Sequence, residues 1–212
     1  MDRTLSVKVN ILPDWLKNWY LNLITPVVNF FIARSINPNL FTTLGFIASL
    51  ISAGCFIVGY PRIAGALVLL SGTLDIIDGK VARATNQVTK FGALYDSTLD
   101  RYAEVVVFFG LAFYFAEQPL PLRVVMLVAV SIALGGSMMV SYVRARAEGL
   151  GLECKVGIMQ RPERIVLLGF GALMHQYALM GAVTLIAILS NFTAIQRLLH
   201  VRHTEKRTKN NA

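Results

Sequence analysis

Long apolar runs separated by short polar turns set the pattern of this chain. Leu40 to Tyr60 contains no charged residue, and about 20 apolar residues suffice to cross a bilayer core, so this stretch is the first predicted span. Pro61-Arg62 marks a short turn. A second span is predicted from Ile63 to about Arg83 and a third from about Phe91 to Phe115, joined by the polar connection Ala84 to Lys90. Pro119 and Pro121 mark the next turn, and a fourth span covers 123–143 and continues into S-Y-V-R-A-R-A-E. Two further apolar runs follow, about 165–175 and 177–196. The fifth run is short, so its helix is expected to begin inside R-P-E-R, where Pro162 suits a first helical turn.

Upstream, residues 13–34 mix apolar and polar positions and carry Trp15, Trp19 and Tyr20 near Lys17. Aromatic rings favour headgroup depth, so a helix lying along the membrane interface is predicted. A spanning helix interrupted at Pro26 is the alternative. Asn37-Pro38-Asn39 ends that segment, because a residue before proline is pushed out of the α region. The predicted fold is all-α: a polytopic integral membrane protein with six transmembrane helices preceded by an interfacial amphipathic helix. One domain is expected over 1–212, with the interfacial helix at 13–34, the six-helix bundle at 39–199 and a basic cytoplasmic tail at 200–212. No repeat or low-complexity segment is visible.

Composition agrees with that class. Of 212 residues, 55% are hydrophobic and 15% charged, too apolar for an ordinary soluble domain. Mean hydropathy is +0.59. The net charge of +8 could suggest nucleic acid, but the basic residues sit at the ends of apolar runs, so no nucleic-acid partner is expected. Of the 20 Lys and Arg, only Arg62 and Arg123 fall in loops assigned outside. The expected localisation is therefore the cell membrane, multi-pass, with both termini facing the cytoplasm. Cys55 and Cys154 lack metal-type spacing and are expected as free thiols. The N-terminus shows no short apolar core with a cleavage site, so no removed signal peptide is expected.

Chemistry concentrates between residues 75 and 101, D-I-I-D-G-K-V-A-R-A-T-N-Q-V-T-K-F-G-A-L-Y-D-S-T-L-D-R. Asp75 and Asp78 lie three apart and Asp96 and Asp100 four apart, so each pair shares one helix face. One pair closes the second span and the other opens the third, which puts both at the cytoplasmic side. Four such carboxylates among apolar neighbours repel unless they surround divalent cations, and oxygen-only ligands point to Mg²⁺ or Mn²⁺ rather than zinc.

Asp75-x-x-Asp78-Gly79-x-x-Ala82-Arg83, eight residues, then Gly92-x-x-x-Asp96-x-x-x-Asp100 resembles, at every fixed position, the motif of the CDP-alcohol phosphotransferases, integral membrane enzymes of phospholipid synthesis. The resemblance implies two metal ions, the first on Asp75, Asp78 and Asp96 and the second on Asp75, Asp96 and Asp100. It also implies Asp100 as general base. An acceptor hydroxyl would attack the lipid-linked phosphorus of CDP-diacylglycerol or a related CDP-lipid, releasing CMP. By the same resemblance Asn39, Thr42, Gly79, Ala82, Arg83, Thr89 and Gly92 are CDP-lipid contacts. Read from the residues alone, Asn39 can instead be a helix N-cap, and Gly79 and Gly92 can serve close helix packing.

S-Y-V-R-A-R-A-E followed by R-P-E-R is similar to the phosphatidylinositol-phosphate synthase subfamily. That likeness implies an inositol phosphate acceptor held by Arg144, Arg146, Arg161, Arg164 and Arg197. Arg144 departs from the lysine associated with its position, which keeps the charge and changes donor geometry. Glycerol 3-phosphate or another small alcohol stays open as acceptor, and physically the arginines say only that the acceptor is anionic. A cation transporter stays open as well, although its carboxylates should lie near mid-membrane in repeated halves. Glu104, one turn past Asp100, can bond toward the site or take a structural partner. The scattered His175, His200 and His203 are expected as surface groups. Ser49, Ser52, Ala53 and Gly54 suit helix packing, membrane lipids surround the bundle, and the family implies a homodimer.

Overall fold

In the computed structural model of the chain, residues 13–34 and 36–210 are described. The first twelve residues, Ser35, Asn211 and Ala212 lie outside that range. The expectation of no cleaved leader and the end of the predicted tail fall there. Among the described residues the chain forms seven helices and no strand: α1 Asp14–Ala33, α2 Pro38–Ile57, α3 Pro61–Ala84, α4 Lys90–Ala116, α5 Leu122–Gly149, α6 Arg161–Met174 and α7 Gln176–Asn210. Each predicted apolar run is a helix.

Three of them are long and apolar enough to cross a membrane: α2, α5 and Gln176–Glu205 of α7. α3 and α4 carry the acidic residues that lower their hydropathy, and α6 has only 14 residues, about 21 Å of rise. Two boundaries differ from expectation. The N-cap of α2 is Asn37, whose side chain accepts from the Asn39 amide at 3.0 Å with Pro38 at the first helical position. Asn39 is therefore inside the helix, not its cap. The stretch expected as a tail from 200 continues α7 as helix to Asn210, because nothing in H-V-R-H-T-E-K-R-T-K-N breaks it.

Close approach is the rule between helices. α2 packs on α3 and α4, α5 on α7, and α3 on α6. A methyl added at Gly110 would meet the Ala53 Cα at 2.7 Å, and one at Gly65 would meet the Gly169 carbonyl oxygen at 2.7 Å. Small residues thus let backbones touch, the packing available where lipid removes the usual apolar drive. Hydroxyls add short polar ties: Ser49 donates to Ser71 at 2.9 Å and Ser52 to the Ala64 carbonyl at 2.9 Å. Gly54 faces open space, so its packing role is not realised. The core proper is Phe56, Leu111, Phe115, Val183 and Ile186 with their neighbours.

α1 runs unbroken through Pro26. Ile24 and Val28 bury against Phe41, Ile77 and Val81, and the Tyr20 hydroxyl meets the Thr73 hydroxyl at 2.5 Å. Trp15, Trp19, Leu23, Val27 and Phe30 form an exposed apolar stripe beside exposed Asn18, Asn22 and Asn29. α1 is thereby fixed to the part of α3 that carries the acidic pair.

Candidate active site

The last three turns of α3 and the first three of α4 carry the four aspartates. One carboxylate oxygen each from Asp75, Asp78 and Asp96 lies within 4.8 Å of the others. Asp78 is 6% exposed and accepts from the Thr42 hydroxyl at 2.7 Å. One oxygen of Asp96, Oδ1, is buried and has no hydrogen-bond partner. Asp100 stands beside this triplet: its Oδ1 is 2.5 Å from Arg161, whose other terminal nitrogen is 2.7 Å from Asp75 Oδ2. Thr42, the four aspartates and Arg161 line one pocket. Three convergent carboxylates, one with an orphaned buried oxygen, fit a hard divalent cation with oxygen ligands.

At the mouth, Thr89 is the N-cap of α4 and accepts from the Gly92 amide at 2.9 Å. A Cβ on Gly92 would lie 3.0 Å from the Thr89 hydroxyl and 3.5 Å from Asn39 Oδ1, so Asn39, Thr89 and Gly92 converge. Gly79 lies under the Arg83 guanidinium, 3.3 Å from where its Cβ would be. Ala82 is half-buried on the same turn, its carbonyl accepting from Gln87 at 3.0 Å. Thr42, expected beside the nucleotide, has its proton engaged by Asp78.

The five arginines do not form one cradle. Arg161 alone reaches the aspartates. Arg164, 3% exposed, donates from Nε to Glu104 at 2.6 Å and from Nη1 to the Met159 carbonyl at 3.1 Å. Arg197, 2% exposed, donates to the carbonyls of Val156 at 2.8 Å and Val140 at 2.5 Å, joining α7 to α5 and the loop before α6. Arg144 pairs with Glu148 along α5 at 2.9 Å, and Arg146 is exposed in the last turn of that helix. Charge placement in sequence cannot separate an inward brace from an open contact, and this is why they looked alike. Two site neighbours went unassigned in the sequence. Arg101 contacts Glu104 at 3.0 Å and Ser141, and Tyr95 shares a hydrogen bond with Thr43 at 3.0 Å.

Comparison with known proteins shows the family. The CDP-alcohol phosphatidyltransferase profile matches residues 35–200, which hold every candidate site residue. The chain belongs to the CDP-alcohol phosphatidyltransferase family. This transferase is 36% identical over 191 residues to the archaetidylinositol phosphate synthase of Methanothermobacter thermautotrophicus, covering 85% of the chain and 93% of that relative. It is 33% identical over 189 residues to the phosphatidylinositol phosphate synthase of Mycobacteroides abscessus, covering 86% and 85%. Its structure matches the Mycobacterium tuberculosis phosphatidylinositol phosphate synthase with CDP-DAG bound at TM-score 0.74 and 32% identity, over 85% of this chain and 94% of that one. It also matches that enzyme in complex with manganese and citrate, at TM-score 0.75 and 32% identity over 84% and 88%.

Proposed function

We propose that this transferase moves a phosphatidyl-type group from CDP-diacylglycerol or a related CDP-lipid to a hydroxyl of an inositol phosphate. The observation that carries the reading is the convergence of Asp75, Asp78 and Asp96 within 4.8 Å beside Arg161-held Asp100. The archaeal and bacterial relatives are named for different lipids and for the same inositol phosphate headgroup. That agreement favours the inositol phosphate acceptor.

Asp75, Asp78 and Asp96 would hold one divalent ion and Asp75, Asp96 and Asp100 a second, Mg²⁺ or Mn²⁺. When bound, such ions neutralise the pyrophosphate and favour charge development on attacking and leaving oxygens. Asn39, Gly79, Ala82, Arg83, Thr89 and Gly92 form the nucleotide side, where missing side chains let the CDP group approach the helices. Thr42 acts through Asp78. The acceptor oxygen bonds to the lipid-linked phosphorus as the bond to CMP breaks, and its proton passes to Asp100. Arg161 orients that carboxylate and offers charge to an anionic acceptor. Arg144 and Arg146 stand at the rim, with Arg164 and Arg197 behind them as frame. The chain acts as one membrane domain with six spans, α2 to α7, with α1 at the interface and the site and termini on the cytoplasmic side, and it works as a homodimer.

The test is CMP release by purified protein in detergent with CDP-diacylglycerol and Mg²⁺, adding inositol phosphate, glycerol 3-phosphate, inositol or serine one at a time. Release with inositol phosphate alone is expected. Release with glycerol 3-phosphate alone would replace the acceptor, and no release with either a diacyl or an ether CDP-lipid would sink the assignment.

A further inference from the structure

α4 and α6 carry charged groups in matching order. Asp100 and then Glu104 descend α4, one turn apart, while Arg161 and then Arg164 descend α6. Asp100 meets Arg161 at 2.5 Å and Glu104 meets Arg164 at 2.6 Å, so two parallel helices are joined by two ion-pair rungs. The upper rung belongs to the pocket with the aspartates. Both rungs line a cavity of about 40 Å³, formed by Asp100, Glu104, Arg161 and Arg164 together with Ser49 and Ser71.

We propose that Glu104 is a positioning residue for the acceptor, acting through the lower rung. The proposal rests on the reading of the site given above. Arg164 also binds the Met159 carbonyl at 3.1 Å, two residues before Arg161. Glu104 thereby fixes both the helical turn and the incoming backbone from which Arg161 projects. Its second oxygen holds Arg101 at 3.0 Å, and that guanidinium, also bonded to Ser141 of α5, lies 3.8 Å from Asp100 Oδ2. Without Glu104, Asp100 is the carboxylate nearest to Arg101. Glu104 thus holds that second guanidinium at 3.8 Å, beyond hydrogen-bond distance of Asp100, and leaves Arg161 as the arginine that bonds directly to this carboxylate. A guanidinium fork suits this task because its planar donors fix direction as well as charge.

Removing one member of a buried pair strands the other charge, so the principal variant neutralises both: Glu104→Gln with Arg164→Met. Its acceptor KM should rise and its kcat fall, each about tenfold, since small displacements of a positioning group carry large rate costs. The Kd for CDP-diacylglycerol, measured without acceptor, should stay within about twofold. Glu104→Asp keeps the charge but falls one methylene short, and should show the same split at about threefold. Adding Arg101→Met to the double variant should recover part of kcat. A folded double variant, or a folded Glu104→Asp, with wild-type acceptor KM and kcat would overturn the proposal, as would a parallel loss of CDP-lipid affinity. If wild type uses another anionic acceptor, the functional reading changes and the same split is read with that acceptor.

Discussion

Replacing Asp96 by Asn should make the metal-free transferase more stable while abolishing its response to metal. Asp96 sits within 4.8 Å of Asp75 and Asp78, and at an effective dielectric of about 20 each such pair repels by about 3.5 kcal/mol. Arg161 offsets Asp75 and Asp100 by direct contact, and the Thr42 hydroxyl serves Asp78. Among the described residues no ion pair reaches Asp96. The Asn variant therefore relieves two repulsive pairs, about 7 kcal/mol before solvent and neighbouring arginines screen them. The screened gain should be about 1–2 kcal/mol, a rise of about 2–8 °C in melting temperature for a chain of this size. Wild type should gain about 2.7 kcal/mol when Mn²⁺ reaches 100 times its Kd, and the variant almost none. Thermal unfolding in detergent, with chelator and then along a Mn²⁺ titration, reads both effects. A variant that melts below wild type in chelator, or that Mn²⁺ stabilises equally, would refute the reasoning.

Thr42→Val removes the donor that aims Asp78. A hydrogen bond to a charged group contributes about 1.5–3 kcal/mol, so the Mn²⁺ Kd should rise about tenfold or more in the same titration. Gly65→Ala drives a methyl to 2.7 Å from the Gly169 carbonyl and 2.8 Å from Ala172 Cβ. Since backbone cannot yield, overpacking should cost about 1–3 kcal/mol and displace α6, whereas Gly54→Ala should leave the melting temperature unchanged. Cys154 is fully buried, and burial pushes its thiol pKa up. It should resist alkylation in the native protein and label within minutes after Arg197→Ala, which frees the carbonyls of Val140 and Val156; equal labelling rates would show that Arg197 does not hold the loop.

Helix positions, the acidic pairs and their meeting were legible because each depends on short-range periodicity. Three- and four-residue spacings put carboxylates on one face whatever the surroundings, and Pro38, Pro61 and Pro162 mark helix starts by local sterics. What escaped depends on three-dimensional partners. Asn37 and Asn39 are equally good caps on paper, and the chain's entry into α2 decides between them. The arginines share one composition in sequence, yet burial sorts them into a pocket contact, two internal braces and an exposed rim. Glu104 was visible as a charge in an apolar run, but its partner lies sixty positions away on α6.

All four aspartates stand inside helices, where main-chain amides are already committed to carbonyls one turn back. The glycines at 79 and 92 open a route to that backbone, but Gly79 presents a surface with no spare N–H. Thr89 already occupies the Gly92 amide. A pyrophosphate lying among the aspartates themselves is not cradled by peptide dipoles as it is at a glycine-rich phosphate loop. There its charge is met by side-chain cations and inorganic ions. The call for a divalent ion at these four carboxylates then follows from their helical setting and not from the shape of a loop.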